Sequence, residues 1–134
     1  VKPIDQTIFV GPESNCLEAC VASVLEIELC QVPSFDSGER DWFINLGEFL
    51  GAFDLEPLRL DVEGTIDLWI PSGYHLIWGE TCRGTFHSVV GFAGEAVHDP
   101  HPDKTGLSSE KVWLVFVNKL SDCRNTSNYM KRDE

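Results

Sequence analysis

The chain has 134 residues, 43% hydrophobic and 24% charged, which fits one domain with a single buried core. Its formal net charge is −12, and so acidic a surface repels phosphate backbones and anionic lipid, which argues against nucleic-acid or membrane binding. There is no apolar run long enough to span a bilayer, and "VKPIDQTIFV" lacks a signal-peptide pattern, so a cytoplasmic protein is expected.

In chain order, the pattern predicts a short strand around Thr7 to Val10, ended by Gly11-Pro12. A helix is predicted from about Cys16 to Leu29, because Leu17, Cys20, Val21, Val24 and Leu25 follow helical spacing. Asn15 is the expected N-cap, and Glu18 three places on completes a capping-box pattern. "VPSFDSGERD" reads as a loop, and Trp42, Leu46, Phe49, Leu50 and Phe53 form the stripe of a second helix. From Leu55 the period changes to two: Leu58, Leu60 and Val62 alternate inward, and "GYHLIWG", "HSVVGF", "EAVHDP" and "KVWLVFV" read as strands. Helices first and strands afterwards imply an α+β fold with a mainly antiparallel sheet over residues 1–118. Residues 119–134 are polar and aperiodic and read as a flexible tail. There is neither an internal repeat nor a low-complexity segment.

Five cysteines, Cys16, Cys20, Cys30, Cys82 and Cys123, form an odd and irregular set, which fits reduced thiols better than a disulfide framework. Two of them differ in setting. If Asn15 caps the helix, Cys16 is its first residue, where the helix dipole and partnerless N–H groups favour the reactive thiolate. Its own N–H is also positioned to help stabilise an oxyanion. Cys20, one turn on among Leu17, Val21 and Val24, reads as inert core. A base is supplied by His87, which opens "HSVVGF". A hairpin turn at Ala93-Gly94-Glu95 folds "AVHDP" back and brings Asp99 alongside it. A carboxylate beside an imidazole orients the ring and stabilises its charged form.

A cysteine heading an amphipathic helix, a distant "HSVVG" strand and a closing "DP" resemble papain-like cysteine peptidases, most nearly the bacteriocin-leader-processing type. "GETCRGTFHSVVGFAGEAVHDPHPDKTGL" also resembles small, often phage-encoded proteins with an RG…H…VHDPHP…GL signature. The resemblance implies a papain-like fold with Cys16 as nucleophile, His87 as general base and Asp99 as orienting carboxylate. It departs from that family in two places. Leu17 follows Cys16 where the family has Gly, and Val10 stands where the family has the Gln of the oxyanion hole. Gln6 and Asn15 are the substitute oxyanion candidates.

The rival base is His75 in "GYHLIW", and Tyr74, Trp78, Arg83 and Gly84 are candidate cleft residues. The cluster His98, Asp99, His101 and Asp103 has no cysteine nearby, and no C-x-x-C occurs, so neither a metal nor another cofactor is expected. Two functions follow. The first is a cysteine hydrolase, or acyltransferase, acting on a peptide, isopeptide or small amide, with the acidic surface favouring a basic substrate. The second is a peptidase-like scaffold, weakly active or inactive, that binds a basic host protein through that surface, in the host cytoplasm if the protein is phage-encoded.

Overall fold

The period-two patterning after Leu55 resolves into one five-stranded sheet in the computed structural model of the chain, which describes residues 1–9, 14–36, 40–63 and 70–118. The strands are β1 (Leu55–Asp61), β2 (Tyr74–Glu80), β3 (Phe86–Phe92), β4 (Glu95–His98) and β5 (Ser109–Asn118). They lie in the order β1-β5-β2-β3-β4, and every pairing is antiparallel. Two helices, α1 (Cys16–Leu25) and α2 (Trp42–Gly51), precede the strands, so the chain is α+β. The expected tail, with Cys123, lies outside the described residues. No helix among those described is long and apolar enough to cross a membrane.

Both faces of the sheet bury side chains. Leu76, Val90, Val112 and Leu114 meet Cys20 and Val21 of α1, Leu46 and Leu50 of α2, and Phe35 from the connection between the helices. On the opposite face Ile77, Val89 and Trp113 form a smaller cluster, against which Leu60, Val62 and Leu107 pack. Burial on both faces explains why "SVV" and "VWLV" are continuous apolar runs where a half-buried strand would alternate. Leu60 and Val62 do point inward, towards this second face, whereas Leu58 on the outer strand β1 stays 42% exposed.

The N-terminal third departs from the local sequence rules. Residues 7–9 form no strand, and Asn15 makes no side-chain cap on α1. Its Oδ1 accepts the Thr7 and Ile8 N–H groups at 3.0 and 2.9 Å, and its Nδ2 donates to Thr7 Oγ1. Glu18, the expected second half of a capping box, instead accepts the Phe35 N–H at 3.0 Å. Both side chains choose long-range backbone donors that would otherwise lack partners. The helix ends at Leu25 rather than Leu29 because Glu26 turns left-handed, φ 58°, and returns its N–H to Ala22. A single 3₁₀ turn, Leu29–Gln31, follows. Asn15→Ala is therefore expected to cost about 1 kcal/mol through the three lost side-chain bonds. Asn15→Ser, an equally good cap residue, is not expected to restore it, because serine is too short to span Thr7 and Ile8. Urea denaturation of the three proteins decides; full rescue by serine would return Asn15 to a capping role.

Candidate active site

The β3–β4 hairpin assembles the first pair. Ala93 and Gly94 take positive φ, 52° and 89°, the two left-handed positions that a two-residue hairpin turn requires. The register pairs Val90 with His98, so Asp99, one residue on, falls beside Val89 and diagonal to His87 on one face. His87 Nε2 and Asp99 Oδ1 are 2.6 Å apart, and both side chains are buried. The carboxylate has two further donors: the His101 N–H reaches Oδ1 at 2.9 Å and the Gly106 N–H reaches Oδ2 at 2.7 Å. With the Nε2 proton directed at Asp99, the basic lone pair of the ring lies on Nδ1.

Burial works to raise the Asp99 pKa, but the His87 ring and the two N–H donors together outweigh it and hold the carboxyl below its usual range. A depressed folded pKa contributes stability that is present above the ordinary carboxylate value, near 4, and lost as pH falls through the folded one. Asp99→Asn is expected to lower stability by about 1–3 kcal/mol at pH 7 and to flatten the loss between pH 5 and 2. Denaturant midpoints across that window provide the check; an unchanged acid limb would mean that Asp99 does not carry it.

Cys16 reaches the same region from the other side. β4 pairs only with Val90–Phe92, so among the described residues the first half of β3 has no strand neighbour on that edge. Ser88 and Ser14 line the same cavity as Cys16, and the Ser88 N–H, part of the peptide that joins His87 to Ser88, and the Ser14 hydroxyl lie close enough to favour the charged form of the sulfur. The expected depression of its pKa is overturned. Burial pushes the Cys16 thiol up, and the N–H groups of Ser88 and Leu17 and the Ser14 hydroxyl offset this only in part. Within the described residues, no hydrogen bond joins the sulfur to a histidine. Cys20 is fully buried, and desolvation carries its thiol well above the ordinary value. Cys16, Cys20, Cys30 and Cys82 are all free thiols.

The two oxyanion candidates separate. Asn15 faces Thr7 and Ile8, as above. Gln6 is buried next to the site: its backbone N–H donates to Pro100, its Nε2 donates to the Ile8 carbonyl at 2.9 Å and meets Ser14 Oγ at 3.5 Å. Its Oε1 is buried and has no partner among the described residues. Gln6, Ser14 and Cys16 thus form a polar line into the helix start. Val10, at the family's Gln position, lies outside the described residues.

A cavity of about 320 Å³ opens beside the sulfur, and Ser14, Ser88, Trp42, Trp78 and Phe86 are among its walls. Of the expected cleft residues only Trp78 lines it. Tyr74 packs at a tilt against Phe92 at the other end of β2, with ring centres 4.7 Å apart. Arg83 pairs with Asp103 and donates to Thr105 Oγ1 at 3.0 Å. Gly84 supplies the left-handed residue, φ 78°, of the turn that Thr81 and Thr85 close. Trp42 and Phe86 were legible only as a helix stripe and a strand end; alternation along "FHS", which puts Phe86 and Ser88 on one face, was the available signal.

His75, the rival base, is fully buried on the second face, its ring tilted against Trp113, and its Nε2 accepts the Gly94 N–H at 3.1 Å. Burial lowers its pKa and keeps the ring neutral. The remaining two histidines hold backbone: His98 Nε2 donates to the Ile4 carbonyl at 2.8 Å, and His101 Nδ1 accepts the Asp103 N–H at 3.2 Å.

Compared with known families, curated proteins and solved structures, the chain matches none. The site is read from its own geometry.

Proposed function

We propose that the protein is a papain-like cysteine hydrolase with Cys16 as nucleophile, His87 as general base and Asp99 as the carboxylate that orients it. One observation supports the reading: a buried His–Asp pair, hydrogen-bonded through His87 Nε2, whose histidine adjoins Ser88, a wall of the cavity that Cys16 also lines. His87 Nδ1 takes the thiol proton as the sulfur attacks an amide or ester carbonyl, and gives it to the departing amine or alcohol. The resulting thioester is hydrolysed by water, or passed to an amine or thiol acceptor. The Leu17 N–H, the Ser88 N–H and the Ser14 hydroxyl, all near the sulfur, are the donors from which an oxyanion site is built. The small cavity suits a short peptide, an isopeptide or a small amide.

The alternative is the same scaffold used to bind a basic host protein through its acidic surface. The raised Cys16 pKa favours it, because a buried neutral thiol is a poor nucleophile unless a base takes its proton. Incubation with an activated acetyl ester separates the two. An acetyl adduct on Cys16, located by peptide mass mapping, supports the hydrolase. Modification of only the exposed Cys30 and Cys82 supports the binding scaffold.

A further inference from the structure

The cavity beside Cys16 has two kinds of wall. On one side Trp78 and Phe86 stack in parallel, with ring centres 4.7 Å apart and planes 7° from coplanar, and Trp42 of α2 contributes a third aromatic surface. Glu18 of α1 and Asp36 are also among its walls. Glu18 is held by the Phe35 N–H, yet desolvation and then the charge of Asp36 work against its ionised form. Of the described residues lining the cavity, Arg59 alone is cationic, and its Nε already pairs with Asp61 at 3.2 Å. The cavity therefore has flat apolar faces and an excess of negative charge.

We infer that this cavity is a recognition pocket for a basic side chain, lysine or arginine, of a peptide substrate whose scissile carbonyl sits at Cys16; the assignment rests on the hydrolase reading. The alkyl stem of such a side chain lies on the aromatic faces, where a cation over a ring is attracted by its quadrupole. The charged head meets Glu18 and Asp36 and compensates the buried Glu18 carboxylate. A neutral aromatic group fills the volume but leaves those carboxylates without a counter-charge, and an acidic side chain is repelled. About 320 Å³ is at the lower end for a ligand pocket, enough for one long side chain rather than an extended peptide.

The test separates the pocket from the chemistry. Cys16→Ala protein, which cannot be acylated, is titrated with N-acetyl-arginine amide and N-acetyl-norleucine amide by tryptophan fluorescence. The basic amide is expected to bind about tenfold more tightly, and the gap is expected to close in Glu18→Gln, which retains an acceptor for the Phe35 N–H. Asp36→Asn, at an exposed position, is the second variant should Glu18→Gln fold poorly. Equal affinity for the two amides, or no saturable binding of either, overturns the inference. In the wild-type protein, activated esters of N-acetyl-lysine and N-acetyl-norleucine are then compared as acyl donors to Cys16. A faster reaction with the lysine ester supports both readings. Acylation without preference overturns the pocket and leaves the hydrolase; selective binding with no acylation overturns the hydrolase and, with it, the assignment to a substrate side chain.

Discussion

Replacing His87 with alanine is expected to slow acetylation of Cys16 by an activated ester about 10²–10⁴-fold, the usual contribution of a positioned general base. The effect is large here because the Ser88 and Leu17 N–H groups and the Ser14 hydroxyl offset the burial of the thiol only in part. Burial holds the Cys16 pKa up, so the thiolate is scarce at neutral pH and its formation depends on a base that removes the proton as attack proceeds. Two further variants make the result specific. Asp99→Asn keeps a hydrogen-bond acceptor for the ring but removes the charge that stabilises it, and is expected to give a smaller loss than His87→Ala. His75→Gln, packed against Trp113 and bound to the Gly94 N–H, is expected to leave the acetylation rate nearly unchanged in whatever protein folds. The pH profile supplies an independent sign. With the Cys16 thiol pushed up by burial rather than lowered, its reaction climbs towards alkaline pH. A Cys16 rate indifferent to His87, or a Cys16 silent towards the ester, removes the physical basis of the nucleophile.

What was legible in the sequence was what short-range rules govern. The His87–Asp99 pairing follows from alternation along "HSVVGF" and from turn residues that tolerate left-handed backbone, so two positions twelve residues apart meet through one hairpin. The order of helices and strands was legible for the same reason. The failures share a different cause. Asn15 satisfies every local criterion for a cap, yet it serves Thr7 and Ile8, and nothing within four residues of it shows that this segment will fold back. The helix dipole at Cys16 is visible in sequence, but the desolvation that overrides it comes from distant elements. Trp42, Trp78 and Phe86 arrive from α2, β2 and β3 to line one cavity, a convergence that no periodicity within one element encodes.

The largest expected loss of stability comes from a residue with no side chain. Gly79 lies in the middle of three strands, opposite His87 on β3 and Glu110 on β5, at the point where the β2–β5 register shifts by a bulge. The bulge brings the β5 backbone across the space a side chain would take: a Cβ on Gly79 would lie 1.9 Å from the Ser109 carbonyl oxygen and 3.0 Å from its carbon. Both atoms belong to backbone, so no rotamer change relieves the clash and the strands must part. Gly79→Ala is expected to destabilise the protein by about 3 kcal/mol or more. Any fraction that still folds is expected to lose acylation of Cys16, because Gly79 sets the position of His87 across the β2–β3 pair. Gly47→Ala is the matched control. It lies within α2, its Cβ meets only Pro57 at ordinary contact distance, 3.8 Å, and alanine is the better helix former by about 1 kcal/mol. The same chemical change is thus expected to act in opposite directions at the two sites. Denaturant midpoints for both variants, with circular dichroism to establish that each folds, test the pair. A Gly79→Ala protein as stable as the wild type would mean that the bulge relaxes without cost, and that the spacing between β2 and β5 does not fix His87.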